Sequence, residues 1–173
     1  FRGVAGVAKR LVDIMLASLA FVVCLPLGLV IAALIKRSSP GPVFFVQERL
    51  GKDGRPFAFY KFRSMRYDSD DAIHRRFAAM FINGDSDGCR EQNGGRTGFK
   101  LEQDPRVTAI GRWLRRTSLD ELPQIINILK GEMTLVGPRP PIAYEIENYQ
   151  PWHLERLKVT PGLTGMWQVM GRS

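Results

Sequence analysis

The feature that most constrains this chain is an apolar run with basic residues at both ends. Residues 11 to 35 read LVDIMLASLAFVVCLPLGLVIAALI, and the pairs Lys9-Arg10 and Lys36-Arg37 flank them. The run exceeds the roughly 20 residues that a helix needs to cross a hydrocarbon core. A spanning helix, however, carries its basic residues mainly on the cytoplasmic flank. Matched basic flanks therefore favour a segment that enters and leaves the membrane on one side.

A proline inside the apolar run supports the same interpretation. Pro26 has no amide to bond the carbonyl of Val22, and its ring clashes with that turn of helix. Each arm beside the proline would be only about 15 Å long, half the thickness of a hydrocarbon core. We predict a helix–break–helix hairpin over residues 8–37 that re-enters one leaflet. The alternative is a bent helix that crosses the bilayer.

The charge balance indicates an anionic partner. The chain carries 25 Lys and Arg against 17 Asp and Glu, a net charge of +8. Acidic lipid headgroups, a phosphorylated ligand and nucleic acid all suit such a surface. Residues 55–62, RPFAFYKF, partly fit an RNA-recognition signature, but Pro56 stands where that signature needs glycine. We therefore expect lipid or phosphate binding and no nucleic acid.

Beyond the membrane segment, the pattern predicts a small, irregular α/β (α+β) domain. VFFVQERL and PFAFYKF flank the loop 51–54, which predicts a β-hairpin. Short helices are predicted at 68–82, in DPRVTAIGRWLRR, in SLDELPQIINILKG, in IAYEIENY and in HLERLK, with short strands in TLV and the last Gly-rich segment. Ser118 and Glu121 match a capping box at the start of SLDELPQIINILKG, and Gly131 is suited to its end. The chain begins with Phe1 and stops after Gly-Arg-Ser, so we expect a piece of a longer protein whose C-terminal end is missing.

One segment, LRRTSLDELPQ, concentrates reactive groups. Asp120 and Glu121 fall in the first turn of the predicted helix, where free amides favour a carboxylate and equally a bound phosphate. Arg115 and Arg116 lie just upstream and could offset the repulsion between a carboxylate and a phosphate ester. The alternative is that the acids only stabilise the helix start and the arginines form a solvated face.

Other basic residues could complete a phosphate site. Lys61 follows the predicted hairpin, and Arg172 ends the Gly-rich segment. Arg139 sits in the sequence GPRP, where neighbouring prolines lower the entropy cost of presenting its side chain. An ordinary surface turn is the alternative for that loop. The lone Cys24 and Cys89 give neither a disulfide framework nor a metal-ligand spacing.

Several ordered motifs together resemble the bacterial sugar transferase family, the monotopic polyprenyl-phosphate phosphoglycosyl transferases. They are KRLVDI, SPGPVFFVQERLG, YKFRSM, DPRVTAIGRWLRRTSLDELPQ, NILKGEM, LVGPRP and PGLTGMWQVMGR. The resemblance covers nearly everything after Lys9, so it implies one catalytic domain over residues 1–173, with residues 38–173 in the cytoplasm. It also implies a place in the bacterial inner membrane, seated among anionic lipids.

The resemblance further implies a reaction with two displacements. Asp120 would attack the β-phosphate of a UDP-sugar and release UMP, and a polyprenyl (undecaprenyl) phosphate would then take the sugar phosphate from its carboxylate. Glu121 would assist, and Mg²⁺ held by Asp120 would neutralise the phosphates. The implied phosphate contacts are Lys61, Arg115, Arg139, Gln168 and Arg172.

Such a reaction would initiate O-antigen, capsule or exopolysaccharide assembly, and a homodimer is compatible with it. The alternative function is a non-catalytic membrane domain that binds anionic lipid. That alternative accounts for the charge and the apolar run but leaves the ordered motifs around Asp120 and Arg139 without a role.

Overall fold

The computed structural model describes residues 3–67, 75–76, 79–80, 82–83, 104 and 106–165. The helices whose bounds are described are α1 (Val4–Ser38), α2 (Ala109–Thr117), α3 (Gln124–Lys130) and α4 (Ala143–Ile146). The strands are β1 (Phe44–Leu50), β2 (Pro56–Phe62), β3 (Thr134–Val136) and β4 (Gly162–Thr164). Short 3-10 helices occupy Lys52–Gly54, Leu119–Glu121 and Pro151–Lys158. The predicted irregular α/β architecture is confirmed.

Helix α1 is the longest element among those with described bounds. It runs as a single element of 35 residues with Pro26 inside it, so the predicted break into two separate helices is not confirmed. Its length and composition would allow it to cross a membrane. Its fully buried residues form one stripe, Asp13, Ala17, Ile31 and Ile35, which repeats at helical spacing. Most of its other large apolar side chains are exposed.

Both halves of α1 pack against the same folded body. Ala17 of the first half lies in a cluster with Phe59, Ile125, Ile128 and Met133. Ile31 and Ile35 of the second half lie in a cluster with Phe62 and Leu114. Leu122 packs against both clusters, so they form adjoining parts of one core. Each fully buried Ile or Leu stabilises this arrangement by roughly 1.5–3 kcal/mol.

Polar contacts fix the first turns of α1 to the rest of the domain. The Arg10 guanidinium donates to the carbonyls of Ile128 (2.6 Å) and Leu129 (2.9 Å), at the end of α3 where carbonyls lack partners within the helix. The Asp13 carboxylate accepts from the Thr134 hydroxyl at 2.5 Å, from Lys9 Nζ at 3.1 Å and from the backbone N–H at 135 at 3.2 Å. Lys9 also donates to the Thr134 hydroxyl.

Strands β1 and β2 form the predicted antiparallel hairpin. Phe45 pairs with Lys61, Gln47 with Phe59 and Arg49 with Phe57. Because directly opposed residues share a face and the side-chain period is two, these six side chains lie on one face of the hairpin. The second sheet is smaller and parallel, with β3 beside β4.

The capping box predicted at Ser118 and Glu121 is wrong. Ser118 has φ 59° and ends α2 in the left-handed conformation, and its buried hydroxyl has no hydrogen-bond partner among the described residues. Helix α3 starts only at Gln124, after Pro123, because the turn Leu119–Glu121 intervenes. The predicted helix end at Gly131 is confirmed, with φ 86°.

Other element predictions hold to different degrees. Helix α2 begins at Ala109, where the Thr108 hydroxyl accepts from the Gly111 N–H, and Val107 pairs with Met65 in an isolated bridge outside that helix. The helix predicted in HLERLK is the 3-10 helix Pro151–Lys158. The helix predicted at 68–82 lies mostly outside the described residues.

Candidate active site

Asp120 lies at the sharp corner between α2 and α3. The left-handed Ser118 reverses the chain, and the 3-10 turn Leu119–Glu121 then carries Asp120 into the protein. A residue other than glycine in this conformation costs on the order of 1 kcal/mol or more, and such strain clusters at functional sites. The corner places the Asp120 carboxylate in a buried position beside a cavity.

Lys61 approaches both acids of this corner from strand β2. Its Nζ lies 3.0 Å from Glu121 Oε1 and 3.8 Å from Asp120 Oδ2. Burial lowers the pKa of Lys61 to about 8, the carboxylate of Glu121 acts in the opposite direction, and the nearby charge of Arg139 lowers the pKa further. The sequence predicts Lys61 as a phosphate contact. In the structure it lies next to both acids and lines the cationic cavity.

The cavity beside Asp120 has a volume of about 510 Å³ and a strongly cationic lining. Asp120 is the one acid among the described residues that line it. The seven basic side chains in the lining are Arg49, Lys61, Arg63, Arg66, Arg106, Arg115 and Arg139. Arg106 is paired with Asp104 at 2.6 Å, and Arg63 donates to the carbonyls of Ser39 and Pro40. Seven cations around one space still favour the approach of an anion. The lining therefore suits a ligand with several negative charges, such as a diphosphate.

Two of the predicted arginines reach this cavity and one does not. Arg115 lines it, and burial lowers the pKa of Arg115 while the carboxylate of Asp120 raises it. Arg139 lines it from the GPRP loop. Arg116 is exposed, in agreement with the solvated face that the sequence allowed for it. Gln168 and Arg172 lie outside the described residues.

Sequence reasoning missed Arg49, which organises the loop that carries Arg139. Its buried guanidinium donates to the carbonyl of Pro140 at 2.7 Å and lies 4.3 Å from the centre of the Phe59 ring. Burial lowers the pKa of Arg49 to about 9, and the charge of Arg139 contributes. The available signal was the alternation of β1, which puts Arg49 on the same hairpin face as Lys61.

The site offers a divalent cation two adjacent carboxylates, Asp120 and Glu121. No group of three His, Cys, Asp or Glu side chains converges within the part of the chain that the structure describes. Mg²⁺ is usually held by one or two carboxylates together with substrate phosphates and water. The donor set therefore fits a cation that shares its ligands with a bound diphosphate.

Comparison with known proteins identifies the family of this chain. The family model described as bacterial sugar transferase matches residues 4–173. The chain belongs to the bacterial sugar transferase family. The resemblance drawn from the motifs is thereby confirmed, and transferase chemistry is the activity class of this family.

Curated relatives of this sugar transferase domain cover nearly its whole length. The exopolysaccharide production protein ExoY of Rhizobium meliloti is 43% identical over 172 residues, which cover 99% of this chain and 73% of the relative. The undecaprenyl-phosphate galactose phosphotransferase of Salmonella typhimurium is 40% identical over 95% of this chain and 33% of its own length. The UDP-glucose:undecaprenyl-phosphate glucose-1-phosphate transferase of Escherichia coli is 41% identical over 98% of this chain and 32% of its own length. The chain thus spans about a third of several relatives, the galactosyl transferase CpsE of Streptococcus agalactiae among them.

Proposed function

We propose that this domain transfers a sugar 1-phosphate from a UDP-sugar to a polyprenyl phosphate at the cytoplasmic membrane surface. The observation that carries the proposal is a buried carboxylate, Asp120, facing a cavity with seven basic side chains. Excess positive charge around one carboxylate allows anionic phosphates to approach that nucleophile. The names of the relatives, which include galactose and glucose phosphotransferases, make these two sugars the first donors to test.

In the first displacement, an Asp120 oxygen attacks the β-phosphorus of the UDP-sugar. The bond from that phosphorus to the bridging oxygen breaks, and UMP leaves with the bond's electron pair. The sugar phosphate is then held on Asp120 as a mixed anhydride. Lys61 and Arg115 favour the ionised form of Asp120 before attack. After attack they remain in place to stabilise the charge that develops on the phosphoryl oxygens.

In the second displacement, a phosphate oxygen of the polyprenyl phosphate attacks the same phosphorus. The Asp120–phosphorus bond breaks, the carboxylate is restored, and the sugar is left on a diphosphate-linked lipid. Splitting the transfer in this way replaces one difficult step with two easier ones. The product is a lipid-linked sugar, a starting point for assembly of a surface polysaccharide.

We assign Glu121 an orienting role. Its carboxylate accepts the 3.0 Å hydrogen bond from Lys61, which holds the lysine beside Asp120 and the cavity. When bound, Mg²⁺ would neutralise phosphate charge, with Asp120 and Glu121 as its protein ligands. Lys61, Arg115 and Arg139 would hold the remaining phosphate oxygens by charge-assisted hydrogen bonds.

Contacts of α1 support a membrane segment that enters and leaves on one side. Lys9 and Arg10 near its start and Ile31 and Ile35 near its end all contact the same polar domain. If α1 crossed the bilayer, that domain would have to be buried in hydrocarbon along with it, at a cost of several kcal/mol for each unsatisfied polar group. We therefore propose that both flanks of α1 face the cytoplasm.

Thiol labelling tests this topology. With Cys24 and Cys89 removed, single cysteines near Lys9 and just after Arg37 should react with a membrane-impermeant reagent only from the cytoplasmic side. Replacing Pro26 by leucine restores the backbone N–H that proline lacks, so a fraction of molecules should adopt a straight, spanning helix. Labelling of the N-terminal flank from outside in the native protein would instead establish a bent spanning helix.

The activity is tested with a panel of UDP-sugars, undecaprenyl phosphate and Mg²⁺, with UMP as the product measured. Intact-mass analysis without acceptor should show a sugar-phosphate adduct on the protein. Binding to anionic vesicles with neither UMP release nor an adduct would replace the enzyme with the lipid-binding alternative.

A further inference from the structure

One row of side chains on β1 changes from apolar to cationic as it enters the cavity. Phe45, Gln47 and Arg49 alternate along one face of the hairpin, and all three line the cavity. Phe45 is 44% exposed whereas Arg49 is 4% exposed, so the aromatic end lies outward and the cationic end inward. At about 3.3 Å per residue, this row spans roughly 13 Å.

The candidate active site meets this row at both ends. Lys61 stands directly opposite Phe45 on the same hairpin face, with its ammonium group directed to Glu121 and Asp120. Arg49 holds the loop that carries Arg139. Because Phe45 and Lys61 are cross-strand neighbours, a phosphate that binds Lys61 lies beside the Phe45 ring.

The apolar end of the row adjoins the membrane helix. Phe44, the neighbour of Phe45, stacks on Phe62 with ring centres 5.4 Å apart. Phe62 in turn packs against Ile31 and Ile35 of α1. In this half, helix α1 exposes the apolar side chains of Leu27, Leu29, Val30 and Leu34. Phe44 contacts this side of the domain through Phe62, and Phe44 and Phe45 are both partly exposed where they line the cavity.

We propose that Phe45 forms the entry site for the isoprenoid chain of the acceptor, whose phosphate lies in the cationic cavity beside Lys61. The inference rests on the proposed function and adds the part of the protein that selects a lipid acceptor. An amphiphile with one phosphate and an apolar chain matches the row in charge and in polarity. Phe45 is a specificity residue here, and the phosphate chemistry belongs to the groups deeper in the cavity.

The experiment separates the two displacements in the full chain in lipid nanodiscs. The adduct is first formed with UDP-sugar alone, and its decay is then followed against increasing undecaprenyl phosphate. Phe45→Ser should raise the half-saturating acceptor concentration about tenfold while adduct formation stays within about twofold of the native rate. Phe45→Leu should recover most of the acceptor affinity, because an apolar contact is kept.

Trp152→Ser is the matched control. Trp152 is also an exposed aromatic residue, but it lies on the 3-10 helix Pro151–Lys158, which packs near the hairpin turn at the other end of the strands. This variant should leave the half-saturating concentration unchanged. An equal rise in this control would assign the effect to membrane affinity in general and overturn the proposal.

Three other results would also overturn it. These are an unchanged acceptor affinity in Phe45→Ser, a serine variant that slows adduct formation as much as transfer, and a leucine variant as impaired as the serine one. The second result would assign Phe45 to the nucleotide donor or to the fold. Failure of the proposed function is distinct, since the native protein would then form no adduct and release no UMP.

Discussion

Two aspartates of this protein are almost equally buried, yet their surroundings differ completely. Asp13 is 5% exposed and Asp120 is 7% exposed. Around Asp13, both carboxylate oxygens accept hydrogen bonds, from Lys9, from the Thr134 hydroxyl and from a backbone N–H. Asp120 instead faces a cavity, with Lys61 at 3.8 Å and further basic groups across the space.

The contrast teaches that burial of a carboxylate does not by itself indicate catalysis. The Asp13 cluster is closed, because its donors and acceptors satisfy one another and join α1 to β3. Among the described residues, seven basic side chains and one acid line the space that Asp120 borders. A closed cluster stabilises a fold, whereas an open cationic one attracts an anionic substrate.

The strongest test of the difference between Asp13 and Asp120 is to replace each aspartate in turn. Asp120→Asn is nearly isosteric but removes the nucleophile, so UMP release should fall at least about 10³-fold, or about 4 kcal/mol in barrier. The thermal unfolding midpoint should change little. Intact-mass analysis should show the sugar-phosphate adduct on the native protein and none on this variant. An adduct surviving in Asp120→Asn would remove Asp120 from the nucleophilic role.

The corresponding change at Asp13 should affect stability first. Asp13→Ala leaves Lys9, Thr134 and a backbone N–H without their acceptor, so we expect a loss of about 3 kcal/mol in the free energy of unfolding. Adduct formation per folded molecule should be largely retained. Denaturant or thermal unfolding in detergent measures the first quantity, and intact mass the second. Glu155→Ala, in an exposed pair with Lys158, is the control and should cost less than about 1 kcal/mol.

Charge geometry can be tested at Arg139 against Arg116. Arg139→Lys keeps the charge but loses the planar, two-pronged donor, so the rate should fall about tenfold or more if the phosphate contact is bidentate. Arg116→Lys, on the exposed face of α2, should stay within about twofold. A native-like rate for Arg139→Lys would make that arginine structural or peripheral.

The pH dependence provides the smallest and most specific test. Because the folded-state pKa of Lys61 is lowered from 10.5 to about 8, its charged form is lost as pH rises through about 8. If that charge binds phosphate, kcat/KM for UDP-sugar should be about tenfold lower at pH 9 than at pH 7. Lys61→Arg should move this decline upward by more than one pH unit.

Stability should follow the opposite trend with pH. Burial disfavours the charged form of Lys61 in the folded protein. Between pH 8 and 10.5 the lysine is therefore mostly deprotonated in the folded protein and mostly protonated in the unfolded chain. The contribution of Lys61 to the free energy of unfolding should therefore increase across that window. A decrease in activity that tracks a decrease in stability would contradict this assignment.

Local patterns in the sequence were sufficient to predict several parts of the molecule. The alternation and Gly-containing loop of residues 43–62 predicted the hairpin, and Gly131 predicted the end of α3, because turn and strand signals are local. The sequence also identifies the motif around Asp120 and the loop of Arg139 as candidate site segments. Their proximity was an inference, since nothing local relates residues that far apart in the chain.

The amino-acid sequence by itself determined the apolar segment at residues 11–35, the hairpin with its alternating faces and the candidate acids and arginines, since each depends on residues close in the chain. It also predicted a break at Pro26, which the single helix α1 does not show. Only the tertiary structure decided that Lys61 meets Glu121 and Asp120, that Ser118 turns the chain instead of capping a helix, and that Asp13 joins α1 to β3. These outcomes depend on the packing of distant elements, where burial and unpaired hydrogen-bonding groups set the free energy. A periodic pattern carries no information about which distant partner will satisfy such a group.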